Sequence, residues 1–345
     1  MSRGRVVTLT ANPSLDRTLV LPGELARGGV VRLGTSSTEP GGKGVNVARV
    51  LAAAGTDVTA VVPAEDADPL VTALRALRLP LVTVGTGAPV RTNYTLTEPD
   101  GTTTKLNEPG TPLDAGTRAA LTTALAAAAE GAAWVVLSGS LPPGTPADWY
   151  ADLVRAVRGS GARVAVDTSE APLLALLAAG PDAAPDLVKP NAEELAQVAG
   201  TTEAALLADP AALSAAVRGL HDGGIAEVLL TLGGDGATLS TADGEVWSAR
   251  PPRTTVRSTV GAGDSSLAGH VLADLAGAPA AERLRRAVAT GAAAAALPGS
   301  ALPTPDQVDL AGVSAQPGLP GSVPPAPPAA PPAQQPVPAA GRDVP

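Results

Sequence analysis

The chain has 345 residues, with 33 Asp and Glu against 24 Lys and Arg, so its formal net charge at pH 7 is −9. It contains no cysteine and two histidines, which excludes disulfide frameworks, thiol nucleophiles and metal sites built from several histidines. The acidic balance, with three Trp, two Tyr and no Phe, argues against nucleic-acid binding, which favours basic patches and stacking rings.

The two ends of the chain differ from its interior. The apolar run Val6–Ala11 is too short for the core of a secretory signal, and no stretch of about 18 apolar residues is available to span a membrane. We therefore expect a cytoplasmic protein. From Ser314 to Pro345, 11 of 32 residues are proline, a composition that cannot bury a core. The sequence predicts one domain over residues 1–313 and a disordered, Pro/Ala-rich tail over residues 314–345.

Short apolar runs typical of strands alternate with Ala- and Leu-rich stretches typical of helices. The predicted strands are Arg5–Ala11, Asp57–Val62, Trp134–Leu137, Arg163–Asp167, Asp186–Lys189 and Glu227–Leu232. The predicted helices include Val45–Ala54, Pro146–Arg158 and Pro210–His221. Several strands are apolar throughout, as strands covered on both faces are. This alternation predicts an α/β fold, in which a mostly parallel central sheet is flanked by helices and sites lie at the carboxyl ends of strands.

Two pairs of polar, Thr-rich segments interrupt the alternation. Arg17–Leu21 with Val30–Leu33 forms one pair, and Val90–Thr97 with Thr102–Leu106 forms the other. The second pair is joined by the residues E-P-D-G, which are typical of a hairpin turn. We expect a small antiparallel sheet, near residues 17–33 and 90–107, that forms a lid over a cleft.

The residues G-A-G-D at Gly261–Asp264 precede a helix in which Leu267, Val271 and Leu275 recur every four residues. Glycines before a helix let backbone N–H groups point at an anion, and the helix dipole assists. A carboxylate there suits a base that accepts a proton from a hydroxyl while the oxygen attacks a phosphoryl group. Alternatively, Asp264 caps the helix, and the motif alone leaves both interpretations open.

A second glycine-rich segment, Gly41–Arg49, also precedes a helix. Lys43 lies at the helix N-terminus, where the dipole disfavours a cation unless an anion is bound. The simpler alternative is a solvated lysine on a turn. Asp16 follows the first strand, at the sheet edge where ligands bind in such folds. It is a candidate for holding sugar hydroxyls, and ordinary turn chemistry is the alternative.

Three more polar segments follow predicted strands: Ser138–Gly144, Lys189–Glu194 and Thr231–Ala237. In the second, Asn191 and Glu194 lie three residues apart on one helical face, which suits a hydrated Mg²⁺. The alternative is a helix cap with a glutamate at the third helical position. The sequence has no P-loop, no dinucleotide fingerprint after the first strand and no nucleophile elbow, which argues against P-loop enzymes, dehydrogenases and serine hydrolases.

In this order the segments resemble the PfkB group of the ribokinase superfamily, and within it the branch of bacterial 1-phosphofructokinases and tagatose-6-phosphate kinases. The resemblance covers roughly residues 5–310. It implies a ribokinase-like fold and an enzyme that uses ATP and Mg²⁺ to phosphorylate a sugar phosphate. Conversion of fructose 1-phosphate to fructose 1,6-bisphosphate is the leading expectation, with fructose 6-phosphate or tagatose 6-phosphate as alternative substrates. A non-catalytic sugar-phosphate sensor is a further alternative, which the intact Asp264 disfavours.

The resemblance also implies roles for individual residues. Asp264 is the catalytic base, and the backbone amides of Gly261, Ala262 and Gly263 form an anion hole. The positions implied for the sugar phosphate are Asp16, Gly42, Lys43, Asn46, Arg91, Asn107, Glu108, Ser138 and Ser140. The positions implied for the nucleotide are Lys189, Asn191, Thr231, Gly233, Gly236, Ser258 and Val260. Mg²⁺ is associated with Asn191 and Glu194.

Two further expectations follow from the resemblance. Lys43 and Arg91 are the candidates for binding the phosphate that the substrate already carries. The expected partners are sugar phosphate, ATP and, through the lid strands, a second copy of the chain, with no nucleic acid or membrane.

Overall fold

In residues 4–319, which a computed structural model describes, the central sheet has ten strands and the lid has four. The strands are, in chain order, β1 (Arg5–Leu9), β2 (Ser14–Val20), β3 (Thr35–Gly41), β4 (Val58–Pro63), β5 (Leu81–Val84), β6 (Arg91–Thr97), β7 (Thr103–Asn107), β8 (Ala132–Ser138), β9 (Arg163–Asp167), β10 (Leu187–Val188), β11 (Glu227–Thr231), β12 (Ala237–Thr241), β13 (Val246–Ala249) and β14 (Ala315–Pro317).

The central sheet is mostly parallel, as predicted. Its strand order is β5-β4-β1-β8-β9-β10-β11-β12-β13-β14. The strands from β5 to β11 run parallel, and β12, β13 and β14 extend one edge in antiparallel pairs. The parallel strands therefore end at one edge of the sheet, where the polar segments that follow them are brought together.

Helices cover both faces of this sheet. They are α1 (Lys43–Ala53), α2 (Pro69–Ala76), α3 (Ala115–Ala129), α4 (Trp149–Val157), α5 (Glu170–Ala178), α6 (Ala192–Val198), α7 (Glu203–Ala208), α8 (Pro210–Asp222), α9 (Ala262–Asp274) and α10 (Ala280–Ala295). In β1, Val6 packs with α1, α2, α9 and α10, whereas Val7 and Leu9 pack on the opposite face with α3, α4 and α5. This double burial explains why β1 carries apolar side chains on both of its faces. None of the helices in the described part combines the length and the apolar character needed to cross a bilayer.

The lid is a four-stranded sheet in the order β3-β2-β6-β7. The pairs β2–β3 and β6–β7 are antiparallel, as predicted, and the central strands β2 and β6 run parallel. The predicted strand Val30–Leu33 is wrong, because β2 pairs instead with Thr35–Gly41 and Val30 lies in a loop with 89% of its surface exposed. The reason is non-local: the strand that pairs with β2 is the segment that leads through Gly41 and Gly42 into α1.

The predicted start of the tail at residue 314 is also too early. Residues Ala315–Pro317 form β14, which pairs with β13 at the edge of the central sheet. Composition alone indicated no strand here, because the pairing depends on an edge that is formed elsewhere in the chain. The rest of the predicted tail, residues 320–345, lies outside the described residues.

At the amino ends of the strands, opposite the lid, a cluster of charged side chains fixes the C-terminal end of α9. Asp274, the last residue of α9, accepts hydrogen bonds from Trp134 Nε1 (2.8 Å), Arg163 Nη1 (2.7 Å) and Arg283 Nη1 (2.8 Å). One turn earlier, the buried His270 lies 3.0 Å from Glu227 Oε2. A carboxylate at a helix C-terminus opposes the helix dipole, so the three donors offset an unfavourable position. The same contacts tie α9 to β8, β9, β11 and α10.

Candidate active site

A cleft of about 790 Å³ lies between the lid and the carboxyl ends of the parallel strands. The predicted site residues that line it are Asp16, Gly42, Lys43, Asn46, Arg91, Asn107, Lys189, Asn191, Glu194, Thr231, Gly233, Gly236, Val260, Gly261, Ala262, Gly263 and Asp264. Segments that are far apart in the sequence are thus brought together at one place. A second cavity, between α5, α6 and α8, is lined by aliphatic residues, proline and glycine and carries no titratable group.

The first turn of α9, which carries the predicted anion hole, lines the cleft. Gly261 precedes the helix with φ of +74°, in the left-handed region that favours glycine. The backbone N–H groups of the first turn of a helix have no partner within the helix, which suits them to donate to an anion. Of the predicted amides, that of Ala262 makes a long hydrogen bond to the Thr259 carbonyl oxygen (3.4 Å). Asp264 lies inside this turn and no side chain caps the helix. The alternative that Asp264 caps the helix is therefore wrong.

Asp264 is buried, with 6% of its surface exposed, and its Oδ2 accepts a hydrogen bond from Asn46 Nδ2 at 2.8 Å. Burial, together with the negative charge of Asp167, raises the pKa of Asp264 to about 6, although Lys43, Asn46 and Lys189 act in the opposite direction. A carboxylate with a pKa near neutrality is ionised at physiological pH and accepts a proton more readily than an ordinary aspartate.

Two lysines meet at a second buried carboxylate, that of Asp167, which is 1% exposed. Lys43 Nζ lies 3.1 Å from Asp167 Oδ1, and Lys189 Nζ lies 3.3 Å from Oδ2. Burial raises the pKa of Asp167, but Lys189 and Lys43 outweigh it and hold that pKa below its usual value. Asp167 in turn raises the pKa of Lys43. The alternative of a solvated Lys43 on a turn is wrong, because this ammonium is paired with a buried carboxylate.

Sequence reasoning missed Asp167 as a site residue. A signal was present, since Asp167 is the last residue of a predicted strand and so lies at the carboxyl edge of the sheet, where ligands bind. Its role is visible only when Lys43 and Lys189, from α1 and from the segment after β10, are seen to converge on it. Lys189 also reaches the anion hole, because a Cβ atom at Gly263 would lie 3.3 Å from Lys189 Nζ.

Gly42 connects the lid strand β3 to α1 and allows α1 to begin close to the central sheet. Its φ is +105°, and a Cβ atom there would lie 2.7 Å from Thr10 Cγ2 and 3.1 Å from the Cα atom of Pro13. A side chain at this position would push α1 away from β1. Because Lys43 and Asn46 follow directly on α1, this close approach places both of them against Asp167 and Asp264.

The lid supplies Asp16 and Arg91. Asp16 lies within β2, so the alternative of turn chemistry is wrong, and its Oδ1 accepts hydrogen bonds from Ser14 Oγ (2.8 Å) and Asn93 Nδ2 (3.1 Å). Arg91 donates from Nη1 to the Glu108 carbonyl oxygen (3.0 Å) and from Nη2 to the Asn12 carbonyl oxygen (3.0 Å). Burial lowers the pKa of the Arg91 guanidinium.

Four predicted site residues do not line the cleft. Glu108 accepts a hydrogen bond from the backbone amide of Thr92 (2.8 Å), so its carboxylate is engaged with β6. Ser138 is completely buried, and Ser140 Oγ accepts from Asn12 Nδ2 (3.3 Å). Ser258 Oγ accepts from the backbone amide of Val260 (3.2 Å). Ser258 therefore bonds within its own loop, whereas Glu108 and Ser140 bond to other segments of the chain. The buried Ser138 hydroxyl has no hydrogen-bond partner among the described residues.

Asn191 and Glu194, which the resemblance associates with Mg²⁺, form the capping box of α6. The Glu194 amide donates to Asn191 Oδ1 (2.7 Å), and the Asn191 amide donates to Glu194 Oε2 (2.8 Å). The alternative of a helix cap is therefore confirmed. Burial raises the pKa of Glu194. Within residues 4–319, no cluster of three or more His, Asp or Glu side chains is arranged to hold a metal ion.

Three further positions predicted for the nucleotide lie where β11 ends and on the turn to β12: Thr231, Gly233 and Gly236. The Thr231 amide donates to the Pro190 carbonyl oxygen (3.0 Å), which joins this turn to the capping box. Gly236 has φ of +99°, and a Cβ atom there would collide with the backbone of Ala249 and Arg250. Glycine at this position therefore permits close packing of β12 and β13 beside the cleft.

A mostly parallel sheet between helices, a β lid, and a buried carboxylate in the first turn of a helix at the cleft are together typical of a phosphotransferase that acts on a hydroxyl group. A model of the pfkB family of carbohydrate kinases matches residues 10–307. The chain belongs to this family, and it is an ATP-dependent kinase of sugar phosphates.

The chain is similar to known proteins over most of its own length and most of theirs. The chain is 38% identical over 310 residues to 1-phosphofructokinase of Rhodobacter capsulatus, covering 88% of this chain and 94% of the relative. It is 34% identical over 294 residues to ATP-dependent 6-phosphofructokinase isozyme 2 of Escherichia coli, covering 84% and 92%. Phosphofructokinase-2 from Escherichia coli, solved in complex with potassium, superposes with a TM-score of 0.81 at 32% identity, covering 88% and 97%. The predicted ribokinase-like fold is confirmed.

We expect the substitution Asp264→Asn to lower kcat by about 10²- to 10⁴-fold, because it removes the proton acceptor while keeping the shape and the hydrogen bond from Asn46. ATP affinity should change little, since the anion hole is made of backbone amides. Steady-state kinetics and calorimetric titration of ATP check both points. Asp222→Asn, at an exposed position on α8, is the matched control. Turnover close to that of the unchanged protein would show that Asp264 is not the base.

We also expect kcat/KM for the sugar phosphate to fall on acidification with an apparent pKa of about 6. The pKa of Asp264 is raised, so the residue is ionised and competent above this pH and protonated below it. Initial rates from about pH 5 to 8, with ATP saturating, measure this limb. A profile that stays flat down to pH 5 would contradict the assignment.

Proposed function

We propose that this enzyme transfers the γ-phosphoryl group of ATP to fructose 1-phosphate and produces fructose 1,6-bisphosphate. The observation that carries the proposal is the pairing of the Asp264 carboxylate with the anion hole of α9 in a cleft that Asp16 and Arg91 close from the lid. Further support comes from the Rhodobacter relative, which is named for this reaction. Fructose 6-phosphate and tagatose 6-phosphate are the competing substrates. One relative, from Escherichia coli, is named ATP-dependent 6-phosphofructokinase isozyme 2.

In this mechanism the free primary hydroxyl of the sugar phosphate lies against Asp264. The carboxylate accepts the hydroxyl proton while the oxygen forms a bond to the γ-phosphorus and the bond to the β–γ bridging oxygen breaks, so that ADP leaves. Negative charge on the transferring phosphoryl oxygens is stabilised by the amides of Gly261, Ala262 and Gly263. The Asn46 hydrogen bond orients the carboxylate toward the hydroxyl.

Lys43 and Lys189 supply positive charge at the same end of the cleft. Both are paired with Asp167, so the three side chains together carry one net positive charge beside the anion hole. The electrostatic partners of Lys43 are Asp167, Asp264 and Glu194. This supports a role for Lys43 at the transferring phosphoryl group and leaves Arg91 as the candidate for the phosphate already on the sugar. The earlier expectation that Lys43 binds that phosphate is replaced by this assignment.

Mg²⁺ fits this site as a hydrated ion. The capping box uses Asn191 Oδ1 and Glu194 Oε2, and the other Glu194 oxygen receives no hydrogen bond from the described residues. One carboxylate oxygen suits an ion that keeps most of its water and binds nucleotide phosphates. When bound, Mg²⁺ neutralises charge on the β- and γ-phosphates. Glu194 would hold it through that oxygen or a water molecule, and Asn191 keeps Glu194 in place.

We also propose that the protein forms a homodimer through the lid. The lid carries exposed apolar side chains, among them Leu106 (55% exposed) on the edge strand β7, Leu33 (44%) and Val20 (39%). An edge strand and exposed apolar surface together favour pairing with a second copy. One solved phosphofructokinase-2 structure is described as tetrameric, which supports self-association in the family.

The function is tested by one assay with MgATP and three substrates side by side: fructose 1-phosphate, fructose 6-phosphate and tagatose 6-phosphate. We expect kcat/KM to be highest for fructose 1-phosphate, by about tenfold or more, because a misplaced phosphate loses charge-assisted hydrogen bonds. A preference for either of the other two would replace the proposed substrate within the same family. Absence of turnover with all three would reject the proposed function.

We expect Arg91→Ala to raise KM for the sugar phosphate by about tenfold or more and to leave KM for ATP within about twofold, because the lost guanidinium faces the sugar end of the cleft. Arg91→Lys should recover only part of the loss, since it keeps the charge without the fork of donors. Arg218→Ala, exposed on α8, is the control. Equal increases in both KM values would contradict the role.

For the dimer, we expect light scattering to give twice the chain mass for the unchanged protein. Leu106→Glu should shift the mass toward the monomer, because it places a charge in the apolar surface of the lid. Leu207→Glu is the matched control, since Leu207 is 44% exposed on α7, away from the lid. A monomer mass for the unchanged protein, or loss of the dimer with the control, would contradict pairing through the lid.

A further inference from the structure

A row of polar side chains crosses the cleft-facing side of the lid. Asp16 on β2 lies opposite Asn93 on β6, and Asn93 lies opposite Asn107 on β7. All three residues line the cleft. Asn93 was not among the predicted site residues, because an asparagine in a Thr-rich strand carries no motif of its own.

The hydrogen bonds of Asp16 determine which way the Asn93 amide points. A carboxylate only accepts, so the Asn93 amino group must face Asp16 Oδ1, 3.1 Å away, and the Asn93 carbonyl oxygen must face elsewhere. Asp16 Oδ1 accepts from Ser14 as well, whereas Oδ2 receives no hydrogen bond from the described residues.

The Asn93 carbonyl oxygen is buried and has no hydrogen-bond partner among the described residues. Buried polar atoms are nearly always hydrogen-bonded, so an orphan at the wall of a cleft indicates a place where a ligand supplies the partner. The missing partner is a donor, because an amide oxygen only accepts. Asn93 Oδ1 and Asp16 Oδ2 thus form a pair of neighbouring acceptors.

Arg91 adds an unused donor on the same strand. It lies two residues before Asn93 and so on the same face of β6, about 6–7 Å along the strand. Its two terminal nitrogens donate to backbone carbonyl oxygens, and its buried Nε has no partner among the described residues. Along the lid, the order is therefore one cationic donor followed by two acceptors.

We propose that Asn93 is a specificity-determining residue whose Oδ1 accepts a hydrogen bond from one ring hydroxyl of the sugar. Asp16 Oδ2 accepts a hydrogen bond from the adjacent ring hydroxyl. The site then recognises two adjacent hydroxyl donors on a ring whose phosphate faces Arg91. This inference rests on the proposed function, in which a ketohexose phosphate occupies the cleft. It assigns hydroxyl recognition to the lid and phosphoryl transfer to α9, at opposite sides of the substrate.

The test is a thermodynamic cycle in which a change in the protein is combined with a change in the substrate, and kcat/KM is measured for each combination. Asn93→Leu keeps the approximate size of the side chain and removes the acceptor. Wild type and variant are assayed with fructose 1-phosphate and with its 3-deoxy and 4-deoxy analogues. We expect Asn93→Leu to lower kcat/KM for fructose 1-phosphate by about tenfold or more, with KM for ATP within about twofold.

The decisive measurement is the coupling between variant and analogue. One deoxy analogue should cost the wild type about as much as Asn93→Leu does, and that analogue should cost the variant nothing further, because the same hydrogen bond is already lost. The other analogue should cost both proteins equally. Independent losses with both analogues, or an equal rise in KM for ATP, would overturn the proposal. A structural role for Asn93 would produce such independent losses.

Two controls keep the outcomes distinct. Thr95→Val, on the same strand and the same face but outside the cleft, should leave all kinetic constants unchanged. If thermal melting shows that Asn93→Leu is unfolded, Asn93→Ser replaces it and the same coupling is required. If the wild type prefers another hexose phosphate, the proposed substrate fails, and the cycle on that sugar and its deoxy analogues still decides the role of Asn93.

Discussion

Two lysine ammonium groups, those of Lys43 and Lys189, are held by one buried carboxylate, that of Asp167, and the arrangement of the active site depends on this contact. The chain as a whole is acidic, with a net charge of −9, so a site for ATP and a sugar phosphate requires positive charge that is local and fixed. Asp167 provides this by holding two cations for one anion, beside the anion hole of α9. Its own burial is tolerated because both of its neighbours are positive.

Asp167 also makes ionisation of Asp264 less favourable. The negative charge of Asp167 and the burial of Asp264 act together to raise the pKa of the proposed base, while Lys43 limits the increase. The pKa of Asp264 therefore reflects a balance among side chains from α1, β9 and α9. This balance requires that α1 and α9 approach closely, as the hydrogen bond from Asn46 on α1 to Asp264 on α9 shows. At the far end of α9, Asp274 and His270 hold the helix to the sheet.

Much of the fold follows from local sequence. The buried parallel strand β8 contains a continuous apolar run, and α8 has one apolar stripe, so neighbouring residues alone indicate these elements. The glycine motifs before α1 and α9 are also local, since each needs a particular backbone conformation at one position. The strands β3 and β14 were not predicted correctly, because each is stabilised by a partner strand distant in sequence, and the segments themselves have little apolar content.

For the site, the sequence by itself determined which residue types were present at the ends of strands and the starts of helices, including Asp264, Lys43 and Arg91. Only the tertiary structure decided which of them act together. Asp167 and Asn93 belong to no motif, and the roles proposed for them rest on contacts with residues on other elements. Conversely, Glu108 and Ser258 lie in recognisable segments, but their side chains bond to nearby backbone amides. The physical reason is that the direction of a side chain and the charge around it depend on packing between distant segments, which local sequence does not specify.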